Sequence, residues 1–167
     1  MAKRDVIYAK FETMEEQVAH CYFLLHEHFI ANPPLAKFWV EAAMDELQHN
    51  SILRFCRERG LMLDLDIDHE AIEKVEELLE TVKSIVSDPE VTVEEAFYAS
   101  LLLETSELDD VYQKLTGALA TDHPLLYQTI QASLRTHIQG FAEGAERFCA
   151  DRGFVDAFRK VLGRSSS

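Results

Sequence analysis

Proline and glycine interrupt this chain at only a few places, and between the breaks the apolar residues recur at spacings of three and four. No segment shows the period-two alternation that a strand needs, so the chain is expected to be all-α. A first helix is expected from about Asp5 to Ile30, ending at ANPPL, where Pro33 and Pro34 forbid continuation. A second spans about Leu35 to Arg59 and stops at Gly60, a residue suited to a left-handed cap. The segment LMLDLDIDHEA then leads into a shorter helix over about 69–86, terminated by Ser87, Asp88 and Pro89. TVEE at 92–95 offers a capping box for a third long helix reaching about Leu115. The fourth starts after DHP at 122–124 and runs to Arg152, with Gly153 as its stop. A short helix over about 155–162 and a tail at 163–167 complete the expectation.

Four long helices with one long crossover, itself containing a short helix, between the second and third describe a four-helix bundle. A length of 167 residues with 47% hydrophobic content suits one domain with one well-buried core, the bundle occupying about 5–152. RFCRERG at 54–60 and RFCADRG at 147–153 echo one another and hint at a duplicated hairpin. A net charge of -14 argues against nucleic acid, whose phosphates call for a basic face. No run of about 18 apolar residues is present, and the first residues lack a signal-peptide pattern, so no membrane partner and a cytoplasmic location are expected. Cys21, Cys56 and Cys149 form no CxxC pair, which leaves reduced core thiols as their expected state.

The buried stripes carry polar residues. On the second helix Trp39, Ala42, Ala43, Leu53 and Cys56 mark the stripe, and Glu46 and His49 fall on it, about 60° apart around the axis. On the first, Phe11, Val18, Tyr22, Leu25 and Phe29 flank Glu15, with Glu12 its nearest competitor. On the third, Ala96, Ser100, Leu103, Glu107, Val111 and Leu115 define the stripe, with Glu104 on its edge. On the fourth, His137 is the one ionisable inward residue, among Leu126, Ile130, Leu134, Phe141, Ala145 and Phe148. A single Glu on a helix is ordinarily a solvated edge residue, and a single buried His an ordinary hydrogen-bonded core group. Six inward polar groups from four helices are another matter, because carboxylates crowded in a low-dielectric core repel one another or bind protons. One or two cations would relieve them, and carboxylate with imidazole suits iron or manganese.

Glu46-Leu-Gln-His49 resembles the ExxH signature of ferritin-like di-iron carboxylate proteins. Glu104 and Glu107 followed by Tyr112, and Glu15 followed by Tyr22, are similar to the rubrerythrin branch of that superfamily, without its rubredoxin domain. The resemblance implies a ferritin-like bundle with Glu15 and His49 serving a first metal and Glu46 and Glu104 bridging two. It further implies that Glu107 exchanges with His49 as iron changes oxidation state, and that Tyr22 and Tyr112 donate hydrogen bonds around the centre. Iron, one or two per chain, is the implied cofactor, with manganese or zinc as other occupants. Peroxide or dioxygen would be reduced, an external electron donor would be required, and a homodimer would be usual.

Helix four departs from that pattern. The residue three before His137 is Leu134, so the acid of a second ExxH is missing, and Gly140 stands where a histidine would follow. Glu143 and Glu146 point away from His137. His20, His26 and His28 scatter around the first helix and are expected at the surface. The run at 70–80 is expected as a packing helix, with Ile72, Val75, Leu78 and Leu79 on one side. The sequence thus points to an iron-dependent peroxidase or ferroxidase of rubrerythrin type. The rival is a non-catalytic or mononuclear metal-binding bundle acting as a structural or interaction module.

Overall fold

The computed structural model describes residues 3–61, 69–106, 112, 116–117 and 119–164. Seven helices and no strand are present among them: α1 Lys3–His28, α2 Pro33–Glu58, α3 His69–Val86, α4 Val93–Glu104, α5 Leu119–Asp122, α6 Pro124–Phe148 and α7 Gly153–Arg164. The all-α expectation therefore holds. α1 lies along α2, α3 packs on α1 and α4, and α6 packs on α2, α4, α5 and α7. No helix among the described residues is long and apolar enough to cross a membrane.

Local chemistry accounts for most of the helix ends. Pro33 and Pro34 occupy the first turn of α2, where a missing N–H costs nothing, while α1 already ends at His28, ahead of the expected stop. Gly60 has φ +69°, the left-handed conformation that lets its N–H reach Arg57 O while Leu61 N–H reaches Cys56 O. Thr92 forms the expected capping box: its hydroxyl accepts from Glu95 N–H and its own N–H donates to Glu95. On α3 the side chains of Ile72, Val75, Leu79, Val82 and Val86 are buried, as a packing helix requires.

Two ends differ from expectation. The third long helix stops at Glu104 rather than near Leu115. Ser106 donates both its N–H and its hydroxyl to Leu103 O, and the Thr105 hydroxyl donates to Leu101 O, so side chains compete for the carbonyls that would continue the ladder. Beyond it, residues 107–111 lie outside the described residues. The fourth helix ends at Phe148, with Cys149 extended at ψ 141°, and Gly153 opens α7 instead of stopping α6. Asp151 accepts the Gly153 N–H at 2.8 Å, the local bond of a short acid before a helix start. The sequence echo therefore has no structural counterpart: its first copy ends in a left-handed glycine, its second breaks at the cysteine.

The core is aromatic where α2, α4 and α6 meet. Trp39, Tyr8, Tyr22, Phe11, Phe97, Phe141 and Phe158 are fully buried, each contributing roughly 1.5–3 kcal/mol by leaving water. Trp39 packs on Tyr22 at 5.9 Å and on Phe97 at 5.1 Å, and Phe141 stacks on Phe158 at 5.3 Å. All three cysteines are free and buried; burial pushes the Cys21 thiol up to about 11 and the Cys149 thiol, with help from Glu94, to about 12.

Candidate metal centre

Four helices bring Glu15 (α1), Glu46 and His49 (α2), Glu104 (α4) and His137 (α6) together, and none of the five is more than 8% exposed. Their donor atoms form two overlapping triads, Glu15/Glu46/His49 and Glu46/Glu104/His137, each with its atoms within 4.8 Å of one another. Glu104, expected at the edge of its stripe, is one of these buried acids. Glu107 lies outside the described residues. Tyr22, about two turns beyond Glu15 on α1, donates its hydroxyl to Glu104 Oε1 at 3.1 Å. Tyr112 is buried with its ring 4.9 Å from that of His49.

The triads are held in different ways. His137 faces acids with both nitrogens: Nε2 lies 3.0 Å from Glu46 Oε1 and 3.2 Å from Glu104 Oε1, and Nδ1 lies 3.0 Å from Asp45 Oδ2. Burial alone would lower its pKa, but Glu104, Glu46 and the Asp45 bond outweigh that and hold the imidazole well above its ordinary value. Burial would likewise raise Glu46, but His137 and His49 overcome it and keep the carboxyl below the usual range. Burial, then Glu104 and Glu46, push the Tyr22 phenol well up, so it keeps its proton and remains a donor.

The other triad is open. Because Glu46 is ionised it can only accept, so the proton between it and His49, 3.0 Å apart, sits on Nδ1. The other ring nitrogen, Nε2, is buried and has no hydrogen-bond partner. A cavity of about 20 Å³ adjoins it, lined by Glu15, Glu46, His49, Glu104, Tyr112 and Leu134 among others. A single water needs about 10–15 Å³, so the space admits one water or one ion. An orphaned imidazole nitrogen beside buried carboxylates is a donor set that fits a cation.

Leu134 stands in the cavity wall, where an acid would have supplied a further ligand. Glu12, the competitor of Glu15, is buried as well, but Arg57 grips it through two bonds of 2.6 and 3.0 Å and removes it from the centre. Of the histidines on α1, His20 and His28 are exposed, and His26 bonds Ala36 O at 2.9 Å, tying α1 to α2. Sequence periodicity missed Asp45: it lies about 100° from Glu46 around α2, off the stripe, and reads as a solvent residue. Its one sequence signal is its place directly before Glu46.

No family model, curated protein or solved structure matches the chain. Buried Glu and His clusters that could hold a metal ion are what its own residues provide.

Proposed function

We propose that this chain is a ferritin-like four-helix bundle of the rubrerythrin type, and that its carboxylate and histidine centre uses iron to reduce peroxide or dioxygen. The observation that carries the reading is the pair of buried triads sharing Glu46, one ending in an imidazole nitrogen without a partner. Bound iron would supply the electron-transfer chemistry. Glu15, Glu46, His49, Glu104 and His137 would hold it, and Glu46, common to both triads, would bridge two ions. Tyr22 would keep Glu104 oriented through its hydroxyl, which retains its proton. Asp45 would play the same orienting part for His137 through Nδ1. The apolar wall formed by Leu103, Leu134 and Val18 would restrict water.

A specific observation favours a second reading. His137 already places a cationic group between Glu46 and Glu104, so a single metal at the Glu15/Glu46/His49 triad would leave no acid unpaired. Elemental analysis of protein purified without chelators, followed by anaerobic ferrous titration and addition of peroxide, separates the two. About two irons per chain, with an oxo-bridged ferric absorption, is the result expected of the peroxidase or ferroxidase. One iron without response to peroxide would establish the mononuclear reading. No metal at all would leave a structural bundle.

A further inference from the structure

The cavity beside His49 limits what can join a metal there. Glu15, Glu46 and His49 reach an ion from α1 and α2, and three protein ligands leave its remaining positions to water or to an added molecule. The room for that molecule is small. A volume of about 20 Å³ takes one water, which needs about 10–15 Å³, and not two.

The polar part of the lining is tied in place. Glu46 is bonded to His49 and His137, each at 3.0 Å, Glu104 is held by Tyr22 at 3.1 Å and His137 at 3.2 Å, and the Tyr112 ring lies against that of His49. The apolar part is Val18 from α1, Leu103 from α4 and Leu134 from α6. Val18 is 1% exposed and Leu103 3%, whereas Leu134 is 8% exposed, so a molecule arriving on the apolar side meets Leu134 first. Leu134 is also the one described lining residue that α6 contributes. Three residues before His137, this helix presents the cavity with a branched hydrocarbon that can neither bind a metal nor donate a proton.

We propose that Leu134 is the specificity-determining residue of this centre: its side chain fills the space that a substituted oxidant would need, so hydrogen peroxide is admitted and an alkyl hydroperoxide is refused. The proposal rests on the metal reading above. Both peroxides ask the same of the iron, because in each the O–O bond breaks as two ferrous ions become ferric and two protons are taken from water. Hydrogen peroxide yields two waters; the alkyl hydroperoxide yields one water and one alcohol. The discrimination is therefore steric. A tert-butyl group is several times the size of a water, and a cavity of about 20 Å³ has no place for it. Leu134→Ala removes an isopropyl group from the wall and leaves Val18 and Leu103 beside the new space, an apolar lining that suits an alkyl group.

The first arm of the test uses no peroxide. Full-length protein is loaded with cobalt(II), and imidazole, whose ring exceeds the cavity, is titrated while the visible cobalt bands are followed, for the wild type, Leu134→Ala and the volume-conserving Leu134→Met. Leu134→Ala should bind imidazole at least about tenfold more tightly than the other two. Equal affinity in all three, or no binding by Leu134→Ala, overturns the proposal. In the second arm ferrous-loaded protein is mixed anaerobically with hydrogen peroxide or with tert-butyl hydroperoxide, and the rise of ferric absorption is timed. The rate ratio should favour hydrogen peroxide by at least about 100-fold in the wild type and Leu134→Met, and should fall at least about tenfold in Leu134→Ala. A wild type that reacts with both alike overturns the proposal. If Leu134→Ala does not fold or hold metal, the smaller truncation Leu134→Val is read in its place, with the same direction expected in both arms. Wild-type protein that takes up neither cobalt nor iron defeats the metal reading itself, whereas uptake without discrimination defeats only the role of Leu134.

Discussion

The two triads share Glu46 and almost nothing else. Around His137 every polar atom has an opposite: two buried carboxylates on Nε2 and a half-exposed one on Nδ1. Around His49 a nitrogen is left over, and a cavity large enough for one ion adjoins it. One side is electrostatically closed by the protein's own imidazole; the other is incomplete. A buried charge costs several kcal/mol unless it is paired, so the closed side satisfies its own charges while the open side keeps a buried nitrogen unsatisfied beside a cavity. Affinity and stability should therefore divide between the two sides.

The largest effect is expected where they meet. Glu46→Ala removes the shared carboxylate, and metal affinity should fall at both triads by at least about 100-fold, more than loss of an orienting partner causes. Elemental analysis and calorimetric titration would show it, and an unchanged metal content would remove Glu46 from the ligands. His137→Ala should split the sides. It leaves Glu46 and Glu104 buried without their cation, which costs about 3–5 kcal/mol of stability in metal-free protein, measurable by denaturant unfolding. Metal uptake by the His49 side should survive that change. Asp45→Asn is gentler: loss of the orienting carboxylate should weaken metal binding about 10–100-fold on the His137 side only.

The smallest effect is graded by pH. The Glu46 carboxyl is held below its ordinary 4.5, so its stabilisation is present above that value and lost as pH falls through the lowered one. His137 is held above its ordinary 6.5, so its stabilisation is present below that value and lost as pH rises through the raised one. Metal-free protein should therefore be most stable between these ordinary values, as urea unfolding across pH would measure. Metal reverses the upper limb. An ion on the closed side must expel the His137 proton, so affinity there should rise with pH by up to about tenfold per unit, and proton release should accompany uptake.

Much of this centre was legible from spacing. Glu15, Glu46, His49 and His137 each sit among apolar residues at helical intervals, and a side chain on a buried stripe has nowhere to go but inward. Tyr22 falls on the stripe of Glu15, and its contact with Glu104 comes about once α1 faces α4. Glu104 was harder. In sequence its stripe runs on through residues beyond 106, but the hydroxyls of Thr105 and Ser106 end the helix before them. The stop at Phe148 is hidden in a similar way. RFC lies near the end of both helices, but α2 runs on through Arg57 and Glu58, whereas the chain turns extended at Cys149, ahead of Ala150 and Asp151.

Asp45 and the closed state of one triad belong to the tertiary structure. Each depends on which residue of α6 meets which residue of α2, and helical periodicity orders residues around one axis without relating two axes. By itself the sequence determined the helices, most of their ends, and the acids and imidazoles that must turn inward, because those come from local sterics and from the exclusion of apolar surface from water. Only the packing of helix on helix decided that His137 would be saturated with carboxylates and His49 left with a free nitrogen. Hydrogen-bond and ion-pair energies change steeply over an ångström or less, a distance that no spacing along the chain encodes.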